Sequence, residues 1–175
     1  MRKLMVCNTM SLDGYVERPG GDVMSLPFDH GFSEYNAERL RAADTLLLGR
    51  RSYEGFLSHW PAIADDPDAP PLEREISRRI DDVDKVVVSD TRIAELRNGP
   101  GRDVIVLGSH ILWNDLPAHG LVDELHFMIG PGVVGAGTRA FESGPPLPLR
   151  LLGTPTWDGS GLVLVRYAVE GDRAR

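Results

Sequence analysis

Residues 46–54, LLLGRRSYE, place a short apolar run directly before a glycine, two arginines and a serine. The run predicts a strand buried on both faces, because it is short, apolar and bounded. Gly49 would allow a sharp backbone turn and leave room for a ligand. Arg50, Arg51 and Ser52 then stand at the predicted start of a helix, where free backbone N–H groups and the helix dipole favour an anion. The stretch predicts a phosphate-binding turn, and a solvated helix start with surface arginines is the competing interpretation.

A second stretch has the same order of strand, glycine and helix start. The apolar run at 103–107, DVIVL, is followed by Gly108 and Ser109 and then by a helix pattern that reaches about Leu116. A helix that starts directly after such a turn presents backbone N–H groups that can bind a diphosphate. The sequence therefore predicts a second phosphate-binding turn.

Apolar strand patterns and amphipathic helix patterns would have to position these turns. The spacing of Leu72, Ile76 and Ile80 predicts one helix, and residues 33–43 predict another before the first turn. Alternating residues on both sides of a turn at 158–160 predict a closing antiparallel hairpin. This order predicts a three-layer α/β/α fold with a mostly parallel central sheet and an antiparallel C-terminal edge hairpin. The other predicted strands cover residues 3–10, 45–48, 85–88, 103–107 and 121–131.

The connection at 59–75, HWPAIADDPDAPPLERE, is acidic and rich in proline. This composition predicts an exposed loop, in which Asp65, Asp66 and Pro67 form turns. The helix that contains Leu72 is expected to be opened by Pro70 and Pro71, at the end of this connection.

Composition limits the classes of function. With 175 residues, 42% of them hydrophobic and 26% charged, the chain is expected to fold as a single domain, residues 1–175. No apolar run approaches the roughly 20 residues that span a bilayer, and the first residues lack a signal-peptide pattern, so a cytoplasmic protein is expected. The net charge of −7 argues against a nucleic-acid partner. The single cysteine, Cys7, and histidines without paired spacing argue against a disulfide and a metal site.

Several motifs, in the same order along the chain, resemble those of the dihydrofolate reductase superfamily. They are SLDGY at 11–15, LLLGRRSYE at 46–54, KVVVSDT at 85–91, VIVLGS at 104–109, LVDEL at 121–125 and PGVVGAGTRAF at 131–141. The chain looks most like a stand-alone member related to the reductase domain of the bifunctional riboflavin-biosynthesis deaminase-reductase. The resemblance implies a dihydrofolate-reductase-like fold, a small-molecule substrate and a homodimer.

The resemblance also implies a cofactor site. In that superfamily the arginine and the hydroxyl residue of the GRRSYE-type motif hold the 2′-phosphate and the adenosine end of NADPH. The implied contacts of this motif are Gly49, Arg50, Arg51 and Ser52.

The remaining cofactor contacts come from the two later motifs. The KVVVSDT motif implies contacts of Ser89 and Thr91 with the adenosine side, and the glycine–serine pair implies contacts of Gly108 and Ser109 with the diphosphate. Asp90 stands where the family often has arginine, so NADH is kept as an alternative cofactor. The connection between Thr91 and Asp103 is shorter than in relatives, which implies a missing strand or a more open adenine pocket.

Two carboxylates are the catalytic candidates that the resemblance implies. SLDGY resembles the loop that closes over nicotinamide and substrate, which places Asp13 beside the active site with Ser11 and Gly14. Asp29 is the nearest match in place to the carboxylate that contacts the pterin ring in dihydrofolate reductases, and Glu34 is the alternative. The competing interpretations are a turn former for Asp13 and a helix cap for Asp29.

The implied reaction is hydride transfer from NADPH to a C=N bond of a heterocyclic substrate, pteridine-like or 5-amino-6-(5-phosphoribosylamino)uracil-like. The protein would supply position and exclusion of water more than a strong acid or base. Cys7 stands where the riboflavin reductases usually carry lysine, so a stand-alone relative is expected rather than a dedicated riboflavin-biosynthesis enzyme. The alternatives are a nucleotide-binding module that has lost catalysis, and a protein that dimerises through its sheet edge and binds no cofactor.

Overall fold

The computed structural model describes residues 2–23, 26, 28–87, 90–142 and 146–170, and for 90–92 only the backbone. The strands are β1 Leu4–Met10, β2 Tyr15–Glu17, β3 Ala43–Leu48, β4 Asp84–Val87, β5 Asp103–Leu107, β6 Glu124–Ile129, β7 Thr138–Arg139, β8 Leu149–Gly153 and β9 Val163–Val169. The helices are α1 His30–Ala42, α2 Arg50–His59, α3 Pro61–Ala64, α4 Pro71–Asp82, α5 Asp90–Asn98 and α6 His110–Asp115, and a short 3₁₀ helix follows at Leu116–His119.

The main sheet has seven strands in the order β4, β3, β5, β1, β6, β9 and β8. The strands from β4 to β6 in this order run parallel, and β9 lies antiparallel between β6 and β8. The predicted mostly parallel sheet with an antiparallel C-terminal hairpin is therefore confirmed. Because β1, β3, β4, β5 and β6 are parallel, they all end at one edge of the sheet, which we call the carboxyl edge. Ligands of open α/β sheets bind outside this edge.

The central strands are buried on both faces because their residues are apolar without interruption. Leu46, Leu47, Ile105 and Val106 have no exposed surface. One face packs against α1 and α4, and the other packs against α5, α6 and the 3₁₀ helix. The predicted three-layer arrangement is thus present, and it leaves the carboxyl edge as the place where loops can form a site.

Two local predictions differ from the structure. The helix α1 begins at His30, three residues before the predicted start, because the Asp29 side chain accepts a hydrogen bond from Gly31 N at 2.9 Å and caps the helix there. The prediction of a loop throughout residues 59–75 is wrong for Pro61–Ala64, which form α3 with proline at its first position.

The connection between Thr91 and Asp103, whose backbone is described throughout, contains α5 and then enters β5 directly, without a strand between them. The short connection is therefore accommodated by one helix. Among the helices of the described ranges, none has both the length and the apolar character needed to cross a bilayer.

Candidate functional site

The turn between β3 and α2 has the predicted order of strand, glycine and helix. Gly49 is the residue before the first helical turn. Among the described residues, no side chain caps this helix, and its first turn contains no acidic residue. The first N–H groups of a helix have no acceptor within it, and Arg50 and Arg51, the first two residues of α2, are both exposed. The start of α2 can therefore bind an anion such as a phosphate.

The turn after β3 is tied to the turn after β5 by two serine hydroxyl groups. The hydroxyl of Ser109 accepts a hydrogen bond from Gly49 N at 2.9 Å. The hydroxyl of Ser52 accepts one from Ser109 N at 2.9 Å. The structure thus brings together Gly49 and Ser52 of one sequence motif with Ser109 of another, and it uses the two hydroxyl oxygens to fix the loops.

Asn8, near the end of β1, holds the turn after β5 from the other side. Its Oδ1 accepts a hydrogen bond from Gly108 N at 2.9 Å, and its Nδ2 donates to Gly108 O at 3.2 Å. The N–H groups of Gly108 and Ser109, which the sequence assigned to a diphosphate, therefore already have acceptors within the protein. Sequence reasoning did not single out Asn8. Its only signal was a polar amide, followed by Thr9, near the end of a mostly apolar strand.

Asp13 holds the loop that follows β6. Its carboxylate accepts hydrogen bonds from Val134 N at 3.0 Å and Gly135 N at 2.8 Å. Hydrogen bonds from Val134, from the Ser11 hydroxyl and from Gly135 lower the pKa of Asp13 to about 2. The carboxylate is consequently ionised at neutral pH, where it is a hydrogen-bond acceptor and not a proton donor.

The same two loops also pair as strands. In a two-stranded sheet, β2 pairs antiparallel with β7, and Tyr15 lies opposite Arg139. Gly137 approaches so closely that a Cβ atom there would lie 2.0 Å from Glu17 O. Together with the contacts of Asp13, this pairing makes the loop after β1 and the loop after β6 one structural unit, which borders the carboxyl edge.

Asp29 fastens the start of α1 to the turn of the C-terminal hairpin. Besides Gly31 N, its carboxylate accepts hydrogen bonds from the Ser160 hydroxyl at 2.8 Å and from Gly161 N at 3.2 Å. Burial alone would raise the pKa of Asp29, but these hydrogen bonds outweigh it and lower the pKa. The observed contacts are those of the helix-cap interpretation. The alternative residue, Glu34, is exposed on α1.

The predicted adenosine contacts cannot be placed on the site. Ser89 lies outside the described residues, and the side chain of Thr91, in the first turn of α5, also lies outside them. Their roles stay predictions.

A buried polar network that sequence reasoning missed lies between the sheet and α1. His126 Nε2 lies 2.8 Å from the Glu124 carboxylate, and His126 Nδ1 lies 2.5 Å from the Tyr35 hydroxyl. Lys3 donates to Glu124 at 2.7 Å. Burial lowers the pKa of His126 to about 4, against the opposing effect of Glu124. Cys7 Sγ lies 3.8 Å from His126 Nδ1, and burial raises the pKa of the Cys7 thiol to about 12.

The protonation of this network follows from these contacts. Burial alone would raise the pKa of Glu124, but its hydrogen bonds with Lys3 and His126 outweigh burial and lower it. An ionised Glu124 accepts a hydrogen bond from the Nε2–H group of a neutral His126. The Nδ1 atom is then the acceptor for the Tyr35 hydroxyl. The thiol of Cys7 stays neutral, as expected of a buried small side chain.

Two shallow cavities lie away from the carboxyl edge. One, of about 270 Å³, is lined by Glu34, Glu38, Arg41, Leu72 and Trp157, and the other, of about 340 Å³, lies at the opposite edge of the sheet near Lys3 and Glu124. Neither is lined by a predicted cofactor contact, so we place the candidate site by its hydrogen-bond donors and not by a cavity. Within the described residues, no group of His, Cys, Asp or Glu side chains is arranged as a metal site.

Comparison with known proteins finds both a related sequence and related crystal structures. A Bacillus subtilis (strain 168) protein, uncharacterized protein YyaP, is 27% identical over 190 residues, which cover 97% of this chain and 96% of that protein. The crystal structure of a putative riboflavin biosynthesis protein from Shewanella sp. PV-4 matches with a TM-score of 0.63 and 22% identity, over 97% of this chain and 99% of that chain.

A dihydrofolate reductase has a similar fold. The Enterococcus faecalis enzyme, solved in complex with NADP(H) and RAB-propyl, matches with a TM-score of 0.62 and 14% identity, over 97% of each chain. The sequence profile of the RibD C-terminal domain matches residues 72–163, which is more than half of the 175 residues. The chain therefore has a dihydrofolate-reductase-like fold and belongs to the RibD C-terminal domain family.

Proposed function

We propose that this protein is a reductase that uses NADPH to reduce a C=N bond of a heterocyclic small molecule. The observation that carries the proposal is the start of α2 at the carboxyl edge, whose first N–H groups have no side-chain cap and whose first two residues are the exposed Arg50 and Arg51. Membership of the RibD C-terminal domain family, and a fold shared with a dihydrofolate reductase that binds NADP(H), support it. When bound, the nicotinamide supplies the hydride.

The residues of the chain divide into those that bind and those that shape the site. We assign the 2′-phosphate to Arg50 and Arg51, because a guanidinium group binds a phosphate through charge-assisted hydrogen bonds. Gly49 lets α2 begin at the edge, and the hydroxyl of Ser52 fixes the neighbouring loop. Ser89 and Thr91 would contact the adenosine side. Gly108 and Ser109 would line the path of the diphosphate without donating their backbone N–H groups, which are bonded to Asn8 and Ser52. NADH is the alternative cofactor.

The substrate would lie where the unit of β2, β7 and their loops borders the carboxyl edge. The carboxylates of Asp13 and Asp29 already accept several hydrogen bonds, and their pKa values are lowered, so they suit loop and helix anchoring better than proton donation. The protein would then act by holding the reacting groups together and by excluding water. The substrate class is heterocyclic, either pteridine-like or ribosylaminouracil-like.

We also propose that the protein is a homodimer that pairs through β8. Every residue of this edge strand except Gly153 is exposed, and its leucines Leu149, Leu151 and Leu152 are 40%, 53% and 38% exposed. An apolar edge strand with unpaired backbone groups is a template for pairing with another chain. A second copy would bury these leucines.

Equilibrium binding of NADPH and NADH, followed by tryptophan fluorescence, tests the proposal on the wild type and on Arg50→Ala. Each charge-assisted hydrogen bond to the 2′-phosphate contributes roughly 1.5–3 kcal/mol, so two would favour NADPH by about a hundredfold or more. We expect Arg50→Ala to lose much of this preference. Arg79→Ala is the matched control, since Arg79 is exposed in the last turn of α4.

Two outcomes would count against the proposal. A wild type that binds neither nucleotide would exclude the reductase and leave only a shared fold. A wild type that binds NADPH but oxidises it with none of a panel of pteridines and ribosylaminopyrimidines would favour the second candidate, a nucleotide-binding module without catalysis.

A further inference from the structure

A chain of side-chain hydrogen bonds joins the ends of β1, β3 and β5. We call it the latch, and its members are Asn8, Ser52 and Ser109. We propose that the latch presets the loops of the carboxyl edge for the cofactor, and that Asn8 is a positioning residue for this site. The inference rests on the proposed function and extends it to a residue outside the motifs of the resemblance.

Asn8 extends the pairing of β1 with β5 beyond their last backbone pair. The register of the two parallel strands ends with Cys7 opposite Leu107. The Asn8 amide then forms hydrogen bonds with both backbone polar groups of Gly108. It accepts one from the N–H group at 2.9 Å and donates one to the carbonyl oxygen at 3.2 Å. A side-chain amide thus replaces backbone pairing at the point where β5 turns into its loop, and the turn stays attached to β1.

The two serines connect the turn after β5 to the turn after β3. Each hydroxyl accepts a hydrogen bond from a backbone N–H group of the opposite turn. The Ser109 hydroxyl accepts one from Gly49 N, and the Ser52 hydroxyl accepts one from Ser109 N, both at 2.9 Å. The start of α2, with its two arginines, is thereby fixed relative to the turn after β5. Asn8 does not touch the start of α2 directly, and it acts on it through Gly108 and Ser109.

The latch holds a backbone conformation that would be unfavourable without support. Ser109 has a φ of 61° and is the one non-glycine residue with positive φ in the described ranges. Gly108 also has a φ of 61°, and a Cβ atom there would lie 3.3 Å from the Ser52 hydroxyl. Residues in this conformation persist where surrounding contacts determine them, and such residues cluster at functional sites. The latch supplies those contacts.

The effect of the latch on binding can be separated from the effect of charge. Without the latch, the arginines of α2 remain, but the loops have to be ordered when the cofactor binds, and this ordering weakens affinity. Because the latch does not select the 2′-phosphate, NADPH and NADH should lose the same factor. Loss of one such hydrogen-bonded link corresponds to about a tenfold change. Arg50→Ala, in contrast, should change the ratio of the two affinities.

The test uses the full chain with Asn8→Ala and Ser52→Ala, and with Ser52→Thr as the variant that keeps the hydroxyl. Ser77→Ala is the control, since its buried hydroxyl donates to Trp60 O in the layer of α4 and not at the carboxyl edge. Three quantities are measured: the Kd values of NADPH and NADH, the melting temperature, and the hydrogen exchange of the Gly108 and Ser109 amides. We expect both alanine variants of the latch to bind both nucleotides about tenfold more weakly. Ser52→Thr and Ser77→Ala should bind like the wild type.

The outcomes distinguish this inference from the proposed function. If the wild type binds neither nucleotide, the proposed function fails, and the inference fails with it. If the wild type binds and Asn8→Ala exchanges its latch amides faster but keeps both Kd values, only the inference fails. Tighter binding by Asn8→Ala would also overturn it, because the latch would then obstruct the site. If Asn8→Ala does not fold, Ser52→Ala decides: an equal loss for NADPH and NADH supports the latch, whereas a loss for NADPH alone would show a direct contact with the 2′-phosphate and overturn the inference.

Discussion

The imidazole of His126 lies 2.8 Å from the carboxylate of Glu124, in the buried layer between the sheet and α1. The two residues are two positions apart on β6, so their side chains point to the same face of the sheet. The other ring nitrogen, Nδ1, accepts a hydrogen bond from the Tyr35 hydroxyl at 2.5 Å. The ring is therefore held in its neutral form with both nitrogens occupied, and protonation would break one of these contacts.

Stability should fall in mild acid because of His126. Burial lowers its pKa from 6.5 to about 4, so the unfolded chain takes up the proton first. This contribution is fully present above pH 6.5 and is lost as the pH falls toward about 4. The slope is at most about 1.4 kcal/mol per pH unit. Urea unfolding of the wild type and His126→Gln across this range measures it. Identical pH slopes for the two proteins would show that His126 does not titrate in this way.

Removal of the Tyr35 hydroxyl should leave the buried Nδ1 atom of His126 with only the weak donor of the Cys7 thiol, 3.8 Å away. We expect Tyr35→Phe to lower the free energy of unfolding by about 1–3 kcal/mol at neutral pH, which is the cost of an unsatisfied buried group. Urea denaturation measures this loss. Tyr53→Phe is the control, since Tyr53 is a half-buried tyrosine that packs against the same cluster. Equal stability of Tyr35→Phe and the wild type would contradict the proposed tautomer of His126.

The close approach at Gly137 should make this position intolerant of any side chain. A Cβ atom there would lie 2.0 Å from Glu17 O, and the φ of Gly137 is 138°. We expect Gly137→Ala to separate β2 from β7, to speed hydrogen exchange in both strands and to lower stability by about 1–3 kcal/mol. Gly132→Ala, in the same loop, is the control, because a Cβ atom there would meet no neighbouring group of the described residues within 4 Å. Unchanged exchange in Gly137→Ala would disprove the close pairing.

A charge on the exposed edge strand should dissociate the proposed dimer. Leu151 is 53% exposed on β8, and a lysine there would oppose burial against a second copy. Sedimentation velocity should show a dimer for the wild type and a monomer for Leu151→Lys. The control is Leu57→Lys, since Leu57 is 48% exposed but lies on α2. A wild type that sediments as a monomer at every concentration would contradict the proposed dimer.

The layers and the mostly parallel sheet with its antiparallel hairpin were predictable from the sequence because they follow from local patterns. Buried parallel strands are continuous apolar runs, and residues 46–54 contain a strand, a glycine and a helix start in direct succession. The N-cap at Asp29 was foreseen only as one of two alternatives, since its partner Ser160 comes from the far end of the chain.

The side-chain contacts of the site were not predictable in the same way. The bonds of Asn8 to Gly108 and of Tyr35 to His126 join residues about a hundred positions apart. Such contacts depend on which strands are neighbours and on their exact register. Asn8 and His126 each stand within a strand pattern, where a polar residue gives no indication of its partner.

The latch contains no ionisable group. An amide and two hydroxyls keep the loops in place, so their arrangement should be the same in dilute buffer and in concentrated salt. The guanidinium groups at the start of α2 are exposed, and their attraction for a phosphate is screened over about 10 Å at 0.1 M salt. Ionic strength should therefore weaken the hold on a 2′-phosphate while it leaves the shape of the site intact, and the preference between the two nicotinamide nucleotides becomes a property of the medium as well as of the protein.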